Sequence, residues 1–388
     1  RSGDKKLALN YAEAARWLLY VNASDDTASK PTQKGLPSPG AGWLGKLGLI
    51  SATGKNLFET LMLNLVLLKD GSDEMWGAEK PVWELEKTRV VERAEVVMPD
   101  NPSQLYTLQS RRLSLQREGE KVVGYDLVGG DFFPKENALY EQMSLWRNAA
   151  KRETDPPEYT PRRHDPAKQL WRDFSALMGY GQRYRTPGLI GWLSRLTEEQ
   201  MIPRTHYLFQ IAGVKYGDKD FFVDDVFADS LVFSADLLTE LGEGWVQRII
   251  EEIEITDRLV DQVSQLASNL LKASGDSSGS GQKNMAKELA YYRIDQPFRQ
   301  WLSGIEPGRD GDKKEEICQV WWEKAQSIIR ELGRELVNQT GPQSFIGRVV
   351  FDKKKNREYR YTAPEAYNRF LLNTSSPGAL NKLYKKEV

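Results

Sequence analysis

From Trp245 to Leu270 the residues Trp245, Ile249, Ile253, Leu259, Val263, Leu266 and Leu270 recur at spacings of three, four and six. That is one apolar stripe on a long helix whose other side is polar. Such a stripe must be covered, and the chain offers three further helical stretches downstream. Residues 283–303 contain Pro297, where a kink is expected. Residues 312–338 carry Ile317, Val320, Trp321, Ile328, Leu332 and Leu336, and residues 364–385 follow a basic stretch. A Gly/Ser linker, ASGDSSGSGQ at 273–282, joins the first two helices. Long antiparallel helices with apolar faces predict a four-helix bundle over residues 231–388.

The first 230 residues have a different texture. The 3.6-residue period of Leu7, Tyr11, Ala14, Ala15, Leu18 and Leu19 predicts a helix over 7–21. A polar run of about 25 residues with Pro and Gly follows, long enough to be functional rather than a simple connection. It holds Trp43. A second helix is predicted over 56–68, with Asn56 and Glu59 in capping-box spacing. Residues 73–100 form an acidic connector. From 104 to 133 the alternation LYTLQSRRLSLQ, the turn Glu118-Gly119-Glu120 and KVVGYDLV read as a β-hairpin. Helices are predicted over 166–179 and 194–201. Residues 206–227 read as two strands around a Gly217-Asp218 turn. The fold class is therefore α+β: a mixed α/β domain over 1–230, then a helical bundle. A length of 388 residues suits two domains.

Charge and cysteine content exclude several classes. The net charge is −1, with 54 basic and 55 acidic residues, which argues against a free-standing nucleic-acid binder and permits local basic patches. One cysteine, Cys318, rules out an intrachain disulfide and a Cys-based zinc site, and suits a reducing cytoplasm. No apolar run approaches a membrane span and no signal peptide is visible. Eleven Trp supply core and interface area, as in a subunit of an assembly.

Catalytic signals are thin. Residues 40–45, Gly-Ala-Gly-Trp-Leu-Gly, match G-x-G-x-x-G literally, but prolines precede them where a dinucleotide fold needs a strand. Asp224, Asp225 and Asp229 offer oxygen ligands for Mg²⁺. His164 and His206 lack evident catalytic partners. The basic segments carry more. Arg111, Arg112, Arg117 and Lys121 lie on the hairpin. Arg147, Lys151, Arg152, Arg162, Arg163, Lys168 and Arg172 cluster about a Pro-rich loop. Arg348, Lys353, Lys354, Lys355, Arg357 and Arg360 form a run, with Lys382, Lys385 and Lys386 beyond. Phosphate recognition needs such groups, and ordinary solvated charge also explains them.

Several pieces, in order, carry a family resemblance: residues 18–67, 75–84 (MWGAEKPVWE), 105–115 (LYTLQSRRLSL), 143–147 (MSLWR), 161–174 (PRRHDPAKQLWRDF) and 291–302 (YYRIDQPFRQWL). Together they resemble the large subunit, the CasA family, of the type I-E CRISPR Cascade complex. The resemblance implies the same two-part fold, no catalytic residue, no cofactor and no metal. It implies a cytoplasmic antiviral-defense protein that recognises the protospacer-adjacent motif (PAM) in double-stranded target DNA and helps open the duplex into an R-loop. Its partners would be the CRISPR RNA ribonucleoprotein, other Cascade subunits and the helicase–nuclease, with no membrane. Base pairing by the guide would read the target sequence. Residue by residue, the motif-reading loop falls at Ala28-Ser29-Lys30, which lacks the family's glycine and leaves Lys30 as the groove-reading group. The lysine finger falls at Lys121 and the duplex-splitting wedge at Asp218-Lys219. Arg111, Arg112 and Lys353–Lys355 join the DNA-binding set as basic candidates. Relatives extend further at the N-terminus, so the first domain is expected to be incomplete. An Mg-dependent helical enzyme using the Asp cluster, and a structural scaffold without DNA contact, are the alternative readings.

Overall fold

The computed structural model describes residues 8–24, 43–69, 73–76, 80–84, 101–109, 111–129, 141–152, 154–217, 222–275, 280–352 and 357–384. The chain divides into two compact units, residues 1–231 and 232–388.

In the first unit, β1 (Leu9–Asn10) leads into helix α1 (Tyr11–Ser24). The helix expected from residue 7 starts at Tyr11. Asn10 Oδ1 accepts from the Glu13 amide at 2.8 Å, and Glu13 Oε2 accepts from the Asn10 amide at 3.2 Å. That reciprocal cap fixes the start, and β1 pairs with Lys121–Val122 instead. Strand β2 (Ile50–Thr53) and helix α2 (Leu57–Leu63) follow. The Asn56 side chain caps α2 by accepting from the Glu59 amide at 2.9 Å, as the spacing predicts. Helix α3 (Pro102–Tyr106), capped by Asn101 with Pro102 in its first turn, takes the start of the stretch expected to be strand. The hairpin proper is β3 (Arg111–Glu118) with β4 (Lys121–Gly129), around Gly119 at φ +56°.

Strands β5 (Trp146–Asn148) and β6 (Tyr159–Pro161) pair antiparallel. Of the helix expected over 166–179, only α4 (Phe174–Leu177) is α-helical, after a 3₁₀ turn at Leu170–Asp173. Helix α5 (Gly188–Glu198) starts six residues before its expected position. Strands β7 (His206–Tyr216) and β8 (Val223–Ser234) complete a sheet of order β2-β7-β8. Leu170, Trp171, Phe174, Leu177, Leu189, Leu193, Phe209 and Ile211 are buried in this unit.

The second unit contains α6 (Glu243–Ser274), α7 (Ser280–Ser303), α8 (Pro307–Asp310), α9 (Lys314–Asn338) and α10 (Pro342–Ile346). A hairpin of β9 (Arg348–Asp352) and β10 (Arg357–Tyr361) precedes α11 (Ala363–Asn373) and α12 (Pro377–Tyr384). All seven stripe residues of α6 are buried. Gly275 ends the helix at φ +89°, donating to the Leu271 carbonyl. α7 runs through Pro297 without interruption. On α9 the buried face is rotated from the expected one: Cys318, Trp322, Ala325 and Ile329 are inside with Trp321 and Leu332, whereas Val320 is 60% exposed. A Cβ on Gly333 would strike the Phe370 ring, so α11 seats where α9 lacks a side chain. The fourth helix is broken in two at Thr374–Ser376, with Pro377 opening α12. Phe298, Trp301 and Trp321 form an aromatic cluster with centroids 5.0–5.5 Å apart.

Candidate nucleic-acid interface

Tyr216, the last residue of β7, is the hub of the first unit's candidate surface. Its hydroxyl donates to the Ser24 carbonyl at the end of α1, at 2.5 Å. A Cβ on Gly45 would strike that hydroxyl, so the segment entering at Trp43 approaches the ring closely because it carries glycine. The Arg163 guanidinium lies over the ring, 5.8 Å from its centroid. The next residue, Gly217, donates to the Phe222 carbonyl at 2.8 Å and closes the β7–β8 connection. Three positions distant in sequence thus meet at Tyr216: Ser24 at the end of α1, Gly45 and Arg163.

The platform beneath is tied by backbone bonds. Leu145 donates to Gly48, Arg162 donates to Leu145, and His164 Nε2 lies 3.1 Å from the Leu49 carbonyl. Burial keeps the His164 imidazole below its usual pKa, so it is a neutral packing group. Arg162 Nη2 and Lys168 Nζ both reach the buried Asp173 Oδ1, at 2.6 and 3.0 Å. Burial pushes the Asp173 carboxyl up, but the two cations outweigh that and hold it below its ordinary range. Both cations are therefore committed to Asp173 within the fold, two positive charges sharing one carboxylate. Arg147, Lys151, Arg152 and Arg163 of the same sequence cluster are exposed.

The hairpin lysine lies elsewhere. Lys121 is exposed opposite Asn10, and the Tyr11 hydroxyl donates to the Gly119 carbonyl at 2.8 Å. Lys121 is therefore at the N-terminal end of α1 and Tyr216 at its C-terminal end, about 20 Å apart along a 14-residue helix. Arg111 and Arg112 are corrected: they are only 1% and 4% exposed. The Arg111 amide donates to Asn22 Oδ1 at 2.9 Å and its Nη1 to the Val21 carbonyl at 3.0 Å. A cation there satisfies the open carbonyl end of α1, and burial withdraws both residues from any phosphate. Ala28, Ser29, Lys30, Asp218, Lys219, Lys353, Lys354 and Lys355 lie outside the described residues. Their flanks are described. Arg348 Nη1 donates to the Gly275 carbonyl at 3.2 Å and Arg360 Nη2 to the Ile346 carbonyl at 2.9 Å, so the β9–β10 hairpin is anchored by its own arginines.

The Asp cluster does not converge. Asp224 pairs with Lys215 Nζ at 2.8 Å. Asp229 accepts from the Leu170 and Ser230 amides, both at 2.7 Å. On strand β8, Asp224 faces away from Asp225, and Asp225 stands about 13 Å from Asp229. Among the described residues no group of three His, Cys, Asp or Glu side chains is placed to hold a metal ion. None of the described helices is long and apolar enough to cross a membrane.

Comparison with known proteins fits this arrangement. The family model for CRISPR-associated protein Cse1 matches residues 1–332. The chain belongs to the Cse1 family. A CasA/Cse1 protein of Thermus thermophilus is 31% identical over 173 residues, a match covering 43% of this chain and about a third (32%) of that relative's length. The crystal structure of Thermobifida fusca Cse1 superposes with a TM-score of 0.79 at 30% identity, covering 97% of this chain and 72% of the other. Cse1 from Acidimicrobium ferrooxidans shares the fold, with a TM-score of 0.70 at 23% identity over 95% of this chain and 73% of its own. A chain of a CRISPR RNA-guided surveillance complex shares it at 0.53 and 16% identity, covering 86% of this chain and 71% of that one. The α+β architecture with a helical second unit is thus the Cse1 fold.

The Tyr216 hub escaped the sequence reading. Its one local signal was Gly45, and nothing near it in sequence says that it faces Tyr216.

Proposed function

We propose that this chain is a non-catalytic subunit of a CRISPR RNA-guided surveillance complex that inspects double-stranded DNA for the motif beside the target and helps open the duplex. The observation that carries this reading is the convergence at Tyr216. Tyr216 bonds to Ser24, four residues before Ala28-Ser29-Lys30 in the sequence, and itself stands two residues before Asp218-Lys219, the two stretches that the family resemblance gives to motif reading and strand splitting. A shared anchor lets a groove contact and a wedge act on neighbouring base pairs. Exposed Arg163 on the same ring supplies a cation for the adjoining phosphates.

Weak intrinsic affinity suits a net charge of −1, because the CRISPR RNA ribonucleoprotein and the other subunits would supply avidity. Lys121 would act as a separate contact to the duplex about one α1 length away. Lys353–Lys355 would follow the displaced strand or the guide-bearing subunits, and a docking surface would recruit the helicase–nuclease.

The test uses the assembled complex with guide RNA. Tyr216→Phe removes the hydroxyl that holds Ser24 and keeps the ring. Replacing Asp218 and Lys219 by Gly blunts the connection. Both should slow strand opening, read by a base-analogue fluorophore beside the motif, and both should reduce discrimination between motif-bearing and motif-scrambled duplexes. Unchanged opening and discrimination in both variants would sink the reading.

A further inference from the structure

An aromatic ring stands open where β7 and β8 join. Gly217 donates to the Phe222 carbonyl at 2.8 Å, which leaves residues 218–221 between the two members of that pair. Phe222 is 53% exposed. A Cβ on Gly217 would strike its ring, so the ring lies where Gly217 has no side chain and rests against that backbone. The same two strands repeat the arrangement further from the connection, where a Cβ on Gly213 would strike the Phe227 ring. That second ring is half-buried and meets the His164 imidazole edge-to-face, with centroids 6.4 Å apart. One aromatic–glycine pair therefore serves packing. The other presents a seated, half-exposed ring beside the residue that follows the Tyr216 anchor.

The charge around this ring selects what it can meet. From Lys215 to Asp225 two lysines stand against four aspartates. Lys215 Nζ is taken by Asp224 at 2.8 Å. An excess of carboxylates repels phosphates, so this connection does not grip a nucleic acid by its backbone. Stacking on the face of a base needs no charge, and every base has such a face. In a closed duplex those faces are covered by the neighbouring pairs. They are uncovered when a pair parts, and an apolar side chain inserted there acts on the unstacked step.

We propose that Phe222 stacks on a base freed when the first pair beside the motif parts, and so delays re-pairing. The inference rests on the DNA reading above. It gives this side chain the holding of the open state, as distinct from the parting of strands given to Asp218-Lys219. Phe222→Leu keeps an apolar group and removes the ring, whereas Phe222→Tyr keeps the ring.

The experiment follows R-loop formation by the assembled complex with guide RNA, read by a base-analogue fluorophore beside the motif. Phe222→Leu should slow it about tenfold, as the loss of one base–aromatic stack predicts, and Phe222→Tyr should stay within about twofold of wild type. Duplexes with an abasic residue at the first position beyond the motif, on one strand or on the other, supply the decisive arm. On one of them wild type and Phe222→Leu should open at the same rate, because no base is left to cover. A wild-type rate in Phe222→Leu, a Phe222→Tyr as slow as Phe222→Leu, or a gap that survives both abasic duplexes overturns the inference. So does failure of Phe222→Leu to join the complex, which would make the ring a subunit contact. If Tyr216→Phe is slow and Phe222→Leu is not, this inference fails and the DNA reading stands. If neither is slow, both fail.

Discussion

In the second unit a single helix, α6, brings its whole buried stripe from one run of chain, and the other helices lie against it. In the first unit the corresponding hub, Tyr216, collects Ser24, Gly45 and Arg163 from stretches up to 192 residues apart. Buried carboxyls in the molecule are of two kinds, and the pair Asp173 and Glu252 shows both. Asp173 in the first unit is met by two cations and is held ionised. Glu252 in the second is 2% exposed and has one oxygen on Arg248 at 3.0 Å and the other without a hydrogen-bond partner among the described residues. Its burial outweighs Arg248 and raises its pKa to about 7. A helix stripe tolerates one such group because the surrounding apolar contacts are many.

The largest expected effect lies in the bundle core. Trp321 is 1% exposed, packs on Phe298 and Trp301, and donates to Thr256 Oγ1 at 3.0 Å. Trp321→Ala should destabilise the second unit by about 4 kcal/mol in urea unfolding. A loss under about 1 kcal/mol would mean that the stripe does not hold the bundle. We further propose that residues 231–388 fold alone, as a cooperative melt of that fragment would show.

Next comes the buried ion cluster. Asp173→Asn leaves Arg162 and Lys168 without their carboxylate and should destabilise the first unit by about 3 kcal/mol. Because the folded pKa of Asp173 lies below its ordinary value, this contribution is present above the unfolded pKa and is lost as pH falls through the folded one. The wild type should therefore approach the variant in strong acid. A constant difference across pH would remove the charge argument.

The sign reverses at Glu252. A carboxyl with a raised folded pKa stabilises fully below its unfolded value of 4.5, and that contribution is lost as pH rises to about 7. The second unit should be less stable at about pH 8 than at about pH 5, by about 2–3 kcal/mol from this group. Glu252→Gln should flatten that slope. If the slope persists in the variant, another group carries it. Glu141, 1% exposed, accepting from the Tyr106 hydroxyl at 2.6 Å and likewise raised to about 7 by burial, adds a slope of the same sign to the first unit.

The smallest effect on stability is expected at Lys121. It is exposed on the hairpin, so Lys121→Ala should change unfolding by less than about 0.5 kcal/mol. In the assembled complex the same change should lower the salt slope of duplex binding by about one or less. An unchanged slope would make it plain surface charge.

What could be read directly from the chain was local and periodic. The α6 stripe, the Asn56–Glu59 cap and the Glu118-Gly119-Glu120 turn each rest on residues a few positions from the next, where helix period, capping and turn geometry act. Tertiary structure decided the rest because those outcomes depend on partners remote in sequence. Pairing of Leu9–Asn10 with Lys121–Val122 moved the start of α1. Phe370 of α11 packs where Gly333 of α9 has no side chain, a contact between residues 37 positions apart. The carbonyl end of α1 drew Arg111 inward, although its spacing beside Arg112 looked like a surface basic pair. A sequence records which residues carry charge, and only the packed chain determines which of those charges are already matched.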